Sequence, residues 1–198
     1  MNKNSEQKTG VKRLLKILFW LPVVILIVAV VIGALSGVEK GRKRNLRPTI
    51  GEQARDFAFV DLEGNEISLS GFYGEKVVFV NIWATWCPSC REELPTLQRL
   101  YEKFRGDDFE VLAVSIDAAG GKAVAPYMKK HRYTFPALLD TAGSVQLLYG
   151  TTGVPESFII DKKGKVAFVE IGPGDWTDPK RQALIRGLME EPDMETGR

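Results

Sequence analysis

The sequence predicts an α/β domain, a central mixed sheet with helices on both faces, preceded by one membrane-spanning helix. Three observations lead there. Residues 17–35 carry no charge, residues 77–83 (VVFVNIW) and 109–116 (FEVLAVSI) are apolar runs suited to buried strands, and stretches of helical spacing lie between and after them. With 198 residues in all, the chain has room for one domain of ordinary size plus a short appendage.

The net charge of +2 hides an uneven split: residues 1–47 carry ten Lys/Arg and two acids, so the head is +8 and the remainder −6. A body of that sign is unsuited to nucleic acid, which calls for clustered Lys/Arg. The basic head instead flanks the apolar run, whose 19 residues as a helix reach about 28 Å, close to the ~30 Å apolar thickness of a bilayer. A core helix would carry polar residues on its exposed side, and this run is apolar all round. A cleaved signal peptide is the nearer rival. Its apolar stretch is usually about 7–15 residues and ends at a small-residue cleavage site, which Gly33-Ala34-Leu35-Ser36-Gly37 matches only loosely. Residues 1–16 are therefore expected to be a basic cytoplasmic leader, 17–35 an uncleaved anchor, 36–49 a solvated linker, 50–192 the domain and 193–198 a tail. Lys3, Lys8, Lys12, Arg13 and Lys16 before the span are matched by Lys40, Arg42, Lys43, Arg44 and Arg47 after it, so loop charge alone does not orient it.

Within the domain, residues 56–61 and 66–69 flank Glu63-Gly64-Asn65 and read as a hairpin with a glycine turn. Residues 77–83 are too continuously apolar for a surface strand and are expected as the central strand, buried on both faces. Leu94, Leu97, Leu100, Tyr101 and Phe104 recur at helical spacing and stop before Gly106, with Pro95 expected to kink that helix. A second buried strand at 109–116 leads to a crossover helix over 122–132, with Pro126 near its start, completing a βαβ unit. Then follow a short strand at 135–139, a short helix at 144–149, a hairpin of 157–161 and 165–170 around Lys162-Lys163-Gly164, and a closing helix at 179–190. The glycine-rich loops 118–121 and 172–174 lack a phosphate-binding spacing and read as plain connections.

The chemistry concentrates at Trp86-Cys87-Pro88-Ser89-Cys90. These are the only two cysteines, so there is no separate structural disulfide and no second pair to complete a four-thiolate zinc site; no metal and no cofactor beyond the redox disulfide are expected. Between a strand end and a helix start, Cys87 meets free backbone N–H groups and the positive end of the helix dipole, which favour thiolate. Cys87 is therefore the expected nucleophile, presented to solvent, and the more buried Cys90 the resolving thiol. Pro88 and Ser89 set the strain of the ring and the N–H groups that face the sulfurs, and Trp86 is expected to cover the exposed sulfur, while Trp83 reads as core. The bland alternative is a static disulfide or a two-thiolate clip, but a staple more often joins distant segments. His131, the sole histidine, reads as a helix-end residue, and no Cys-x-x-Cys-His haem signature is present.

Residues 80–95, VNIWATWCPSCREELP, resemble the active-site strand and helix of the TlpA/ResA/CcmG group of thioredoxin-like proteins, and residues 153–161, GVPESFIID, resemble that group's second hallmark. The likeness covers roughly residues 50–176. It implies a thioredoxin-like fold with an N-terminal β-hairpin, and a bacterial, extracytoplasmic, membrane-held protein-disulfide reductase, often serving cytochrome c maturation, with apocytochrome c a candidate substrate and a membrane electron donor of the DsbD or CcdA kind. It also implies a cis bond before Pro155, opposite the cysteines, with the Val154 backbone left to pair with a substrate chain. Trp86, Pro88, Ser89, Val154, Pro155 and Glu156 then form the expected substrate-binding set, although Glu156 reads equally well as an exposed carboxylate at a strand start.

Glu93 matches the group's acidic residue three positions after the second cysteine, and on a helix that spacing places it on the side of Cys90, where it would move a proton to or from the resolving thiol. Six residues before Cys87, where better-known thioredoxins have a buried aspartate, this chain has Asn81, which does not titrate. Two other function classes use the same cysteines: a copper(I)-binding module and a peroxidase of the peroxiredoxin type. The first would want a histidine close to the thiolates, and the second a threonine three residues before its cysteine; neither is present.

Overall fold

The computed structural model describes residues 25–28, 30, 47–106 and 108–191. Of the span expected over 17–35, residues 25–28 and 30 are helical and exposed, and the rest lies outside the described residues, as does the expected leader. Among the described residues no helix is long and apolar enough to cross a membrane.

The domain alternates strands and helices: β1 (Ala58–Asp61), β2 (Glu66–Ser68), a 3-10 turn (Leu69–Phe72), β3 (Val77–Trp83), α1 (Pro88–Phe104), β4 (Phe109–Ser115), α2 (Gly121–His131), β5 (Ala137–Leu139), α3 (Ser144–Tyr149), β6 (Glu156–Ile160), β7 (Val166–Ile171) and α4 (Pro179–Met189). The seven strands form one mixed sheet in the order β2-β1-β5-β4-β3-β6-β7. β3 runs parallel to β4, and β4 to β5; β1 is antiparallel to β2 and β5, and β6 to β3 and β7.

All seven residues of β3 are buried, because α/β packing covers both its faces and β4 and β6 cover both its edges. It is an interior strand but not the middle one. The β1–β2 hairpin extends the sheet beyond β5 and leaves β4 at the centre. Pro126 is likewise the sixth of eleven residues in α2, inside the helix rather than near its start.

Side chains alternate across the sheet and build two cores. On one face Phe79 and Trp83 of β3, Val111 and Ala113 of β4 and Ile159 of β6 meet Leu94, Leu97 and Leu100 of α1, Val124 and Met128 of α2 and Ile185 of α4. On the other, Val78, Val80, Ile82, Leu112, Val114, Phe158 and Ile160 meet Leu69 of the 3-10 turn and Val145 and Tyr149 of α3. Helices thus cover both faces, as the order of apolar runs predicts. α1 keeps its apolar stripe against the sheet through Pro95, and α4 begins with Pro179 at its first position and the Asp178 carboxylate accepting from Lys180 N at 2.9 Å.

Turn chemistry fixes the β6–β7 hairpin. Gly164 has φ of +76°, and a Cβ there would collide with Gln53 Nε2 and lie 2.9 Å from the Tyr73 ring. Leu97 shows how much the stripe carries: it is fully buried, so Leu97→Ala should lower the unfolding free energy by roughly 2–5 kcal/mol in denaturant titration. Leu147→Ala, at a side chain 75% exposed, should change it by no more than about 0.5 kcal/mol.

Candidate active site

Residues 84–87 turn the chain from the end of β3 into α1, and a buried carboxylate holds that corner. Asp117, just past β4, accepts from Thr85 N (2.8 Å), Thr85 Oγ1 (2.6 Å) and Ser115 Oγ (2.8 Å). Arg91 of α1 returns to the same residue, donating from Nε to Thr85 O at 2.9 Å. The corner delivers Cys87 to the N-cap of α1, with Pro88 at the first helical position.

Cys87 and Cys90 are joined as a disulfide. Cys87 Sγ faces a donor on one side, Cys90 N at 3.2 Å, and the Val154 carbonyl on the other at 3.3 Å. In the reduced protein these act in opposition: the N–H and the helix dipole favour thiolate, whereas the carbonyl favours the thiol that can donate to it. Ser89 Oγ lies 3.5 Å from the same sulfur. The sequence places Cys87 in the open, but the residue is only 3% exposed, with the Val154 carbonyl against its sulfur; Cys90 is fully buried.

The Val154–Pro155 bond is cis. The Val154 carbonyl and the Ser89 hydroxyl both meet the Cys87 sulfur, so Cys87, Ser89, Val154 and the adjoining Pro155 form one cluster. Pro88 is exposed at its rim, and Trp86 is 59% exposed, one of the most exposed large apolar side chains in the domain.

Glu93 follows one turn behind Cys90 and points into the sheet. It is 1% exposed, whereas its neighbour Glu92 is exposed. Its Oε1 accepts from Trp176 Nε1 (2.7 Å), Gly174 N (3.2 Å) and Ser157 Oγ (3.5 Å), and its Oε2 from Asn81 Nδ2 (3.1 Å). Asn81 Nδ2 also bonds Ser157 Oγ at 2.9 Å, and Asn81 Oδ1 is buried with no hydrogen-bond partner among the described residues. Burial pushes the Glu93 carboxyl up from the usual 4.5 to about 7, against the hydrogen bonds from Trp176, Gly174, Asn81 and Ser157, which hold it down. No hydrogen bond joins Glu93 to either sulfur in this disulfide form among the described residues.

Glu156 departs from expectation. The strand begins one residue earlier than the sequence suggests, which makes Glu156 the first residue of β6, paired with Ile82 and 1% exposed. Alternation then puts it on the face opposite Ser157, away from α1 and Glu93. It is neither exposed nor a surface for a partner. Arg47 seals it, with Nε 2.9 Å from Oε1, Nη2 3.2 Å from Oε2, and Nη2 also reaching Gly150 O at 3.3 Å. Burial raises the Glu156 pKa and Arg47 opposes the rise.

The AhpC/TSA family model matches residues 50–169. The chain belongs to the AhpC/TSA family. It is 40% identical over 117 residues to the thiol-disulfide oxidoreductase ResA of Bacillus thuringiensis subsp. konkukian, a match covering 59% of this chain and 66% of that protein. It is 32% identical over 155 residues to the thioredoxin-like protein YneN of Bacillus subtilis, covering 77% of this chain and 89% of that one. A solved structure assigned as the thiol:disulfide interchange protein DsbE of Chlorobium tepidum superposes with a TM-score of 0.65 at 30% identity, over 72% of this chain and 99% of that chain. StoA from Bacillus subtilis superposes with a TM-score of 0.56 at 28% identity, over 65% and 96%. The fold is thioredoxin-like, with its mixed sheet of seven strands and flanking helices.

Three site residues of this family member escape the sequence reading. Asp117 lies in a Ser-x-Asp step at the end of an apolar strand, a signal that was there to be read. Gly174 closes the 172–174 loop expected as a plain connection, and Trp176 follows two residues later. They lie 81 and 83 residues from Glu93, and no local pattern links them to it.

Two outcomes follow from the buried carboxylates. Between pH 4.5 and about 7 the folded protein holds a proton on Glu93 that the unfolded chain has released, so this group lowers stability as pH rises through that window. Denaturant midpoints of the oxidised protein should show that decline, and Glu93→Gln, with the Asn81 amide turned to present Oδ1, should remove it. Arg47→Ala leaves Glu156 buried without its cation and should lower the unfolding free energy by roughly 1–3 kcal/mol, with partial recovery when Glu156→Gln is added.

Proposed function

We propose that the chain is an extracytoplasmic, membrane-anchored thiol-disulfide oxidoreductase that reduces protein disulfides through Cys87 and Cys90. The observation that carries this reading is the position of Cys87: N-cap of α1, with the Cys90 N–H on its sulfur and the loop of Pro155 facing it. Relatives named thiol-disulfide oxidoreductase ResA and the resemblance to the TlpA/ResA/CcmG group support it.

The reduced enzyme attacks with the Cys87 thiolate on one sulfur of a substrate disulfide. A mixed disulfide forms at Cys87, and the first substrate sulfur leaves as a thiolate that takes a proton. Cys90 then attacks Cys87 Sγ, releases the second substrate sulfur, and closes the Cys87–Cys90 disulfide; two electrons pass to substrate. Glu93 accepts the proton of Cys90 in this step, being one helical turn away on the same side and, at about pH 7, near the midpoint of its own titration.

Trp86, Pro88, Ser89, Val154 and Pro155 are the surface on which the substrate chain lies; Glu156, on the far side of the sheet, is not part of it. An apocytochrome c is the substrate and a DsbD- or CcdA-type protein the electron donor that the resemblance implies. The tether has a physical reason outside the cytoplasm, where no thiol pool re-reduces the pair and the domain must stay beside a membrane donor.

The reduction potential of the full-length chain tests the direction of flow: a value below about −200 mV supports a reductase, and one near about −120 mV an oxidant. Cys90→Ser should accumulate a mixed disulfide with the physiological client, identifiable by mass spectrometry. Cys87→Ser should trap nothing, and an adduct on Cys90 in that variant would reverse the assignment of the two sulfurs.

A further inference from the structure

The loop between β7 and α4 does more than connect them. Thr96 of α1 pins it, since Thr96 Oγ1 accepts from Trp176 N at 3.2 Å and lies 3.2 Å from Gly174 O. Gln182 of α4 donates to Trp176 O at 3.0 Å. Gly174 leaves room for the side chains behind it: a Cβ there would collide with Arg181 Nη1 and lie 2.9 Å from the Trp176 ring.

The indole itself sits in a socket. Trp176 is fully buried; Phe79 of β3 meets it edge-on with centroids 4.5 Å apart, Phe168 of β7 does so at 6.3 Å, and the Arg181 guanidinium lies 4.8 Å from its centre. Arg181 is in turn fixed by Glu170 at 2.7 Å. Rotation of the ring is blocked on every one of these sides, so its N–H has one direction, toward Glu93 Oε1 at 2.7 Å. This is the shortest of the four hydrogen bonds to the carboxyl.

We propose that Trp176 is a positioning residue for Glu93: its socketed indole N–H sets the proton affinity of the carboxyl that serves Cys90. The proposal deepens the reading of Glu93 given above and rests on it. The groups facing Glu93 are Asn81 from β3, Ser157 from β6, Gly174 and Trp176 from the loop and, on its own helix, the Cys90 thiol of the reduced protein. Only that thiol titrates; the Arg181–Glu170 ion pair stands behind the indole. Hydrogen bonds from neutral donors are therefore what oppose the effect of burial, and the shortest of them has the largest lever. In the resolving step the Cys90 proton moves to the Glu93 carboxylate as the Cys90 sulfur bonds Cys87 Sγ and the substrate thiolate leaves. Withdrawing the indole N–H makes that carboxylate a stronger base, but one that is already protonated at neutral pH.

The test uses the full-length chain with Trp176→Phe, and with Trp176 replaced by 3-benzothienylalanine, which keeps the ring shape and deletes only the N–H. The second variant keeps the test open if the smaller ring unfolds the protein. Infrared spectroscopy follows the protonated carboxyl band that Glu93→Gln abolishes, and stopped-flow exchange follows the pH profile of the resolving step. The expected result is an upward move of the infrared midpoint by about one pH unit or more, with the resolving step following it and no further move when Trp176→Phe is combined with Glu93→Gln. An unmoved infrared midpoint in a folded variant overturns the proposal and makes Trp176 a packing residue. If the infrared midpoint moves while the exchange profile of both Trp176→Phe and Glu93→Gln matches the parent, the hold of Trp176 on the carboxyl stands and the catalytic reading of Glu93 falls.

Discussion

A carboxyl group inside the sheet-helix interface organises this domain. Glu93 on α1 receives hydrogen bonds from β3 through Asn81, from β6 through Ser157 and from the β7–α4 loop through Gly174 and Trp176. Burying a carboxylate without partners is costly, so wherever Glu93 is ionised these four donors must be in place together. Their positions fix the height of α1 on the sheet, and the height of α1 fixes where its N-cap sulfur meets Val154. The redox corner and the buried acid are thus two ends of one packing arrangement.

Two buried glutamates, Glu93 of α1 and Glu156 of β6, face opposite sides of the sheet and meet burial with different solutions. Glu156 faces the second core and has a guanidinium within 2.9 Å, so its charge is matched and it ties Arg47 and Gly150 to the start of β6. Glu93 faces the first core and has only neutral donors, which stabilise the anion without a counter-charge. Burial dominates the second case and brings its titration to about 7, where a group can both take and return a proton. The contrast separates a structural carboxylate from one fit for chemistry, though both are buried glutamates.

Much of this was legible in the sequence where the cause is local. The run at 77–83 marks a fully buried strand, the short helix expected at 144–149 has the observed bounds, and Cys87 at a strand-to-helix corner follows from the order of β3, the turn and Pro88. Glu93 is set apart from Glu92 only by the resemblance to the TlpA/ResA/CcmG group; helical spacing alone leaves a solvated helix glutamate as an equal reading. What was not legible depends on register and on distant contacts. With the strand start set one residue late, Glu156 reads as an exposed carboxylate at a strand start, while alternation in the actual strand sends it inward to Arg47. The burial of Cys87 has no local signal, since Val154, whose carbonyl meets its sulfur, lies 67 residues away. The partners of Glu93 in the β7–α4 loop have no periodic signature, and their glycine and tryptophan look like ordinary loop and core residues until the backbone closes on α1.

The substitution of Asn81 for an aspartate has a consequence for how the buried acid works. An aspartate there would place a second carboxyl against Glu93, and two acids in one low-dielectric site ionise at separated pH values. Asn81 removes that coupling and offers instead an amide with both polarities. Its Nδ2 now serves the Glu93 anion and Ser157, and its Oδ1 is the buried acceptor left without a partner. When Glu93 is protonated its O–H needs an acceptor, and turning the amide by half a revolution supplies Oδ1 at that place. One side chain can therefore satisfy the carboxyl in both of its protonation states without moving the strands, which lets a proton come and go beneath the cysteines while the packing that sets Cys87 against Val154 stays as it is.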